Sequence, residues 1–145
     1  MTTIPDDPGR YGAVGIVLRQ GRFLVIRRSE AVVAPGTLCF PGGGLEPNET
    51  EADALVREFR EELGVSIQPL RRVWQCVTPW KVRLAWWQCD LKPDAPIKPN
   101  PQEVASVEWL TAAEMAASAS LLQSNREFLR LLADGQIQLD PPPPS

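Results

Sequence analysis

Histidine is absent from the 145 residues. That one absence removes histidine triads, histidine general bases and histidine metal sites together. Catalysis, if there is any, must rest on carboxylates, lysine, tyrosine, cysteine or serine. Cysteine is scarce as well. Cys39, Cys76 and Cys89 stand far apart and form no CxxC, which argues against structural zinc and a thioredoxin-type motif. They read as reduced, buried fillers of a cytoplasmic protein rather than as nucleophiles. No apolar run approaches the ~20 residues of a membrane helix. Met1 to Arg10 is polar, carries Pro5 and Pro8, and has no apolar core of the signal-peptide kind. Charge of one sign is lacking too: 15 Lys+Arg against 18 Asp+Glu give a net charge of −3. Neither a nucleic-acid polymer nor a membrane surface is attracted by such a balance.

What is present suits one soluble domain with a real core: 43% hydrophobic and 23% charged residues. Tyr11–Arg19 and Arg22–Arg28 read as a strand hairpin around Gln20-Gly21. Ser29–Thr37 reads as a loop, and Leu38–Phe40 as a short apolar stretch ending at Pro41. Gly42, Gly43 and Gly44 predict irregular backbone. Thr50 opens a helix with Asp53 in the capping-box position, and Gly64 closes it after Leu63. Ala52, Leu55, Val56, Phe59 and Leu63 form its apolar stripe. Val73–Thr78 and Val82–Leu91 predict strands flanking Pro79-Trp80-Lys81, and the prolines of 92–101 predict a loop. Another strand follows over Val104–Leu110. Thr111-x-x-Glu114 and Ser124-x-x-Glu127 predict two capped helices, the second ending near Gly135. A proline-rich extended tail follows.

The helix from Thr50 to Leu63 carries charges that its stability does not call for. Arg57, Glu58, Glu61 and Glu62 are expected opposite the apolar stripe. Glu58 and Glu62 repel at i,i+4, and Glu61 and Glu62 occupy the last turn, where the helix dipole is already negative. Two readings compete: a solvated acidic face, or a site for a hard divalent cation such as Mg²⁺ or Mn²⁺. A local rule broken without compensation points to function.

The spacing around these residues is specific. Gly43, Glu49, Arg57, Glu58, Glu61, Glu62 and Gly64 fit G-x5-E-x7-R-E-U-x-E-E-x-G-U, with Phe59 and Val65 as the apolar U positions. At average residue usage, a chance match is on the order of one in a million. On this motif, Gly43 to Val65, the sequence resembles the Nudix hydrolases. The resemblance implies an α/β fold, an α/β/α sandwich around a mixed β-sheet, over residues 11–135. A flexible N-terminal segment (1–10) and the proline-rich C-terminal tail (136–145) would lie outside it.

It also implies Mg²⁺-dependent hydrolysis of a diphosphate linkage in a nucleoside diphosphate joined to another group, such as ADP-ribose or a nucleotide sugar. Glu58, Glu61 and Glu62 would bind the metal with a carbonyl of Gly42 or Gly43, while Glu49 and Arg57 orient them. Without histidine, the water-activating base is Glu58 as first choice and Glu103 as second; Nudix proteins often carry an extra glutamate just before a strand, as Glu103 stands here. Arg27 and Arg28, at a strand end, are candidate phosphate ligands or simply solvated charges. Trp80 is a candidate stacking partner for a base or sugar. Trp74, Trp86, Trp87 and Trp109 read as buried strand residues, with Trp86 and Trp87 on opposite faces. Pro79, fourteen residues after Val65, is offset from the proline associated with ADP-ribose-cleaving members.

Two other functions remain in view: a nucleoside triphosphate pyrophosphohydrolase that clears damaged nucleotides, and a non-catalytic nucleotide sensor, which the intact motif disfavours. The expected partner is a nucleotide-derived small molecule, and domains of this family and size are often homodimers. Position also changes the meaning of the charge. Between Gly43 and Val65 stand seven acids and two bases, whereas the rest of the chain has eleven acids and thirteen bases. The acidity is one local patch on a slightly basic domain.

Overall fold

Alternating side-chain direction along two buried strands generates the layer structure. In the computed structural model, which describes residues 10–140, β1 (Arg10–Ile16) and β3 (Arg22–Arg28) are buried on both faces. Ala13, Val17, Leu24 and Ile26 point into one apolar cluster; Val14, Ile16, Phe23 and Val25 point into the other. Successive strand residues face opposite ways, so each strand serves two cores at once. Helix α1 (Glu51–Leu63) covers the first cluster through Leu55, Phe59 and Leu63. Helices α2 (Ala112–Ala117) and α3 (Gln123–Ala133) cover the second through Met115, Phe128 and Leu129. The result is the expected α/β/α sandwich.

Two small sheets form the middle layer. One has the order β5-β1-β7-β6, comprising β5 (Gly42–Gly44), β6 (Gln68–Val77) and β7 (Val82–Asp90). β1 pairs parallel with β7 and antiparallel with β5, so the sheet is mixed. In the other sheet, β3 pairs antiparallel with β2 (Leu18–Arg19), β4 (Leu38–Cys39) and β8 (Val104–Leu110). The single strand expected over Tyr11–Arg19 is therefore two. The chain bends at Val17 and passes from one sheet to the other.

Three further expectations need correction. The glycines 42–44 are not irregular: they form β5, with Gly12 opposite Gly44 and Val14 opposite Gly42. Glycine here permits close approach, since a Cβ on Gly42 would lie 2.2 Å from the Ala13 carbonyl oxygen. Helix α3 is not capped by Ser124. Its N-cap is Leu122, which makes no side-chain cap and instead donates its N–H to the Leu38 carbonyl at 3.0 Å. The second tail boundary also moves. Ile137 and Leu139 are buried in the second cluster, and the Gln88 side chain bonds both backbone groups of Asp140. The packed domain thus reaches residue 139, because two apolar side chains follow Gly135. At the other end, Arg10 already belongs to β1; the rest of the N-terminal segment and residues 141–145 lie outside the described residues.

Other details follow the sequence. Thr50 caps α1 by accepting from the Asp53 N–H, Gly64 ends it in the left-handed region, and Thr111 with Glu114 closes a full capping box on α2. Trp86 stacks on Phe128 with centroids 5.1 Å apart, while Trp87 points to the α1 side and donates to Glu51 at 2.8 Å.

Packing is tight between β1 and α1, where a Cβ on Gly15 would sit 2.5 Å from the Phe59 ring. Gly15→Ala should force the helix off the sheet and destabilise the fold by about 1–3 kcal/mol. Urea unfolding of the variant checks this.

Candidate active site

The phase of α1 decides which carboxylates turn inward. Leu55 faces the core, and Glu62 follows it by seven residues, about 20° short of two full turns. Glu62 therefore lies beside the apolar stripe, not opposite it, and is buried at 6% exposure. Glu58, three residues after Leu55, flanks the same side, with its side chain 12% exposed. Only Arg57 and Glu61 match the expected outward face; the Glu61 side chain is 50% exposed. The expectation failed because it grouped residues by charge, when the angles already separated Glu58 and Glu62 from Glu61.

Strand β5 supplies the floor beneath these acids. A Cβ on Gly43 would lie 2.4–2.6 Å from all three carboxyl atoms of Glu58, so the glutamate occupies the space a side chain would need. The Gly42 N–H donates to Glu62. One Glu62 oxygen, Oε1, is buried with no hydrogen-bond partner.

A third acid arrives from the other side. The proline loop docks on the C-terminus of α1: the Lys98 N–H donates to the Leu63 carbonyl and the Asn100 N–H to the Glu62 carbonyl, each at 2.8 Å. These bonds satisfy helix-end acceptors that would otherwise lack partners. A tight turn follows, and the Ser29 N–H at the end of β3 donates to the Glu103 carbonyl at 3.0 Å. Glu103 is thereby brought to the pair, so that one carboxylate oxygen each from Glu58, Glu62 and Glu103 lies within 4.8 Å of the others.

Arg57 organises the outer rim. Its guanidinium grips Glu49 with two bonds of 2.8 and 2.9 Å, and also donates to Glu58 (2.9 Å), Glu61 (3.1 Å) and the Gly44 carbonyl (2.8 Å). Such a two-pronged pair fixes geometry as well as charge. The Arg57 hydrogen bond, helped by the Glu46 N–H, holds Glu49 down to about 2. Within the cluster the direction reverses. Burial, then the charges of Glu58 and Glu103, push Glu62 up to about 9, against the Gly42 N–H and the charge of Arg28. Burial likewise raises Glu58, against the hydrogen bond and charge of Arg57.

The remaining candidates separate. Arg28 lies on the carboxylate side: its charge is felt by Glu62 and by the Cys39 thiol, and its Nε donates to the Val33 carbonyl at 2.6 Å. Arg27 points the other way, donating to Ser120 at 2.8 Å and facing Glu108 at 3.6 Å. Trp80 rides the exposed β6–β7 turn at 68% exposure, its carbonyl accepting from Arg10. Burial raises the thiols of Cys39 and Cys89 to about 11 and about 12, which suits inert fillers. Two contributors had no sequence signal, the Gly42 N–H and the Asn100 turn, because both act through long-range docking.

An all-oxygen set of three clustered acids, one with an orphaned buried oxygen, fits a hard divalent cation. Residues 9–132 match the family model of the NUDIX domain. Phosphatase NudJ of Escherichia coli (strain K12) is 29% identical over 110 residues, which span 73% of this chain and 71% of that protein. The MutT protein from Methanosarcina mazei Go1 superposes with a TM-score of 0.75 at 21% identity, covering 88% of this chain and 94% of that one. The E. coli ORF135 protein gives 0.68 at 22% identity, covering 88% and 90%. The chain belongs to the Nudix family and is a hydrolase.

The raised carboxyl of Glu62 has a stability consequence. A group that holds its proton more tightly when folded adds stability below its ordinary value of 4.5 and loses that contribution as pH rises toward about 9. In metal-free protein, Glu62→Gln should match wild type near pH 4.5 and exceed its Tm by roughly 5 °C near pH 9. Thermal melts in chelator across this range check the prediction; equal melting temperatures at pH 9 contradict it.

Proposed function

We propose that this enzyme hydrolyses the diphosphate linkage of a nucleoside diphosphate derivative, such as ADP-ribose or a nucleotide sugar, with Mg²⁺ or Mn²⁺. The observation that carries the reading is the inward triad of Glu58, Glu62 and Glu103, with Glu62 Oε1 left without a partner. In this reading the three acids and a Gly43 carbonyl hold the cation, and exposed Glu61 adds an outer carboxylate from the Arg57 rim. The cation, when bound, neutralises diphosphate charge and stabilises the charge that builds on phosphorus as water attacks.

The chain's own residues divide the rest of the work. Glu58 is the preferred proton acceptor for the attacking water, because burial raises its affinity for a proton while Arg57 fixes its position. Glu103 is the second choice. Arg28, on the carboxylate side of β3 and within electrostatic reach of Glu62, is the arginine this reading assigns to a phosphate oxygen. Glu49 keeps Arg57 in place and takes no proton at working pH. Trp80 is left as a stacking surface for a base or sugar at the far turn.

Two measurements test this. A panel of nucleotide sugars, dinucleotides, ADP-ribose and nucleoside triphosphates, assayed with Mg²⁺, should show preferential cleavage of the diphosphate derivatives. Faster pyrophosphate release from triphosphates would instead assign the pyrophosphohydrolase reading. Replacing Glu61 and Glu62 together by Gln should lower turnover by at least about 100-fold, and wild-type turnover in that variant would remove the assignment.

Cation binding should also release a proton. Glu62 is protonated in the metal-free protein below about 9, so the cation must displace that proton. Mn²⁺ affinity should rise with pH between about 6 and 9, up to roughly tenfold per unit. Calorimetry in buffers of different ionisation enthalpy reads this directly, and a flat profile speaks against Glu62 as a ligand.

A further inference from the structure

The Glu103 carboxylate accepts a hydrogen bond from one neighbouring side chain, that of Asn100. Asn100 sits at the corner of the turn that follows the proline loop and makes bonds in four directions. Its N–H donates to the Glu62 carbonyl at 2.8 Å, and its carbonyl accepts from the Glu103 N–H at 3.0 Å and the Val104 N–H at 2.8 Å. Its Oδ1 accepts from the Gln102 N–H at 3.1 Å, and its Nδ2 donates to Glu103 Oε2 at 3.2 Å. The amide can be placed only one way round. A backbone N–H needs the oxygen on one side, so the NH₂ group must face the carboxylate.

We propose that Asn100 is a positioning residue of this enzyme, which aims the Glu103 carboxylate at Glu58 and Glu62 and so completes the cation-holding triad. The inference rests on the reading above that Glu103 belongs to the site. Three facts support it. Glu103 faces two other acids, so repulsion would swing a free side chain away toward water; the Asn100 donor on its Oε2 opposes that swing. The same residue is bolted by its backbone to the helix turn that carries Glu62, so the two acids share one frame. The second end of the turn is anchored independently, with the Ser29 Oγ donating to the Gln102 carbonyl at 2.7 Å. The turn thus has backbone support of its own, and the amide NH₂ of Asn100 is left to act on the carboxylate.

Asn100→Ser separates the two roles. A serine hydroxyl can still accept from the Gln102 N–H and close the turn, but it is too short to reach Glu103. The expected result is a loss of about tenfold in kcat with KM within about twofold, and a similar weakening of Mn²⁺ binding measured on the protein without substrate. Combined with Glu103→Gln, the serine variant should cost nothing further, because its effect passes through the group already removed. Activity is read on the best substrate of the nucleotide panel, and Mn²⁺ binding by electron paramagnetic resonance. Wild-type kcat and Mn²⁺ affinity in Asn100→Ser, or losses that multiply in the double variant, would overturn the proposal. Glu103→Gln at wild-type levels of both would remove Glu103 from the site, and this inference with it. An impaired Glu103→Gln beside a normal Asn100→Ser would leave the site reading standing and defeat only the role of Asn100.

Discussion

A carboxylate turned toward the core of a protein is the constraint around which this structure is arranged. Glu62 lies on the inner side of α1, in line with Leu55, and keeps one oxygen buried without a partner. Burying such a group costs free energy unless something compensates it. The protein supplies only part of that compensation, through one backbone N–H from β5 and the more distant charge of Arg28. The two acids set beside it, Glu58 and Glu103, make matters worse. An arrangement selected for stability alone would not converge three acids on one point, so their convergence is evidence of a ligand that reverses the sign.

The surrounding elements can be understood as the means of holding those acids still. Strand β5 is glycine throughout, which lets it lie against β1 on one side and against the Glu58 carboxyl on the other. Arg57 ties the rim acids to each other and to the β5 backbone. The proline loop closes the end of α1 with two backbone bonds and carries Glu103 back to it. Prolines suit this task because they limit the conformations the loop must give up on docking. Sheet, helix and loop therefore meet at the one place where charge repulsion would push them apart.

How much of this was legible in the sequence depends on the range of the interactions. The motif from Gly43 to Val65 is local, and its residues Gly43, Glu49, Arg57 and Glu58 lie side by side in the structure, with Glu62 next to Glu58. The strands β3, β7 and β8 and the caps at Thr50 and Thr111 are also local, and their residue types specified them. What depended on distant partners was misread or missed. Gly42–Gly44 looks unstructured until β1 is placed beside it. Ser124 looks like a cap until Leu122 is seen bound to Leu38. Ile137 and Leu139 look like tail until the second core is there to receive them. The inward turn of Glu62 is a different case, because the helical angle from Leu55 was available; the assumption that charge faces outward overrode it.

The separation of Arg27 from Arg28 carries the same lesson into chemistry. The two are adjacent and identical, and as a pair they resemble a phosphate clamp. Side chains alternate along β3, however, and although its pairing with β8 shifts register between Arg27 and Arg28, the two make their contacts in different places. Arg27 is taken up by Ser120 and Glu108 beneath α2 and α3, where it serves packing. Arg28 is directed to the layer that holds the acids, beside Cys39 and within electrostatic reach of Glu62. It is a cation held near an anionic cluster, hydrogen-bonded to a loop carbonyl rather than to a carboxylate. The alternation of β3, rather than the sequence pair, decides which of the two arginines shares a layer with the acids.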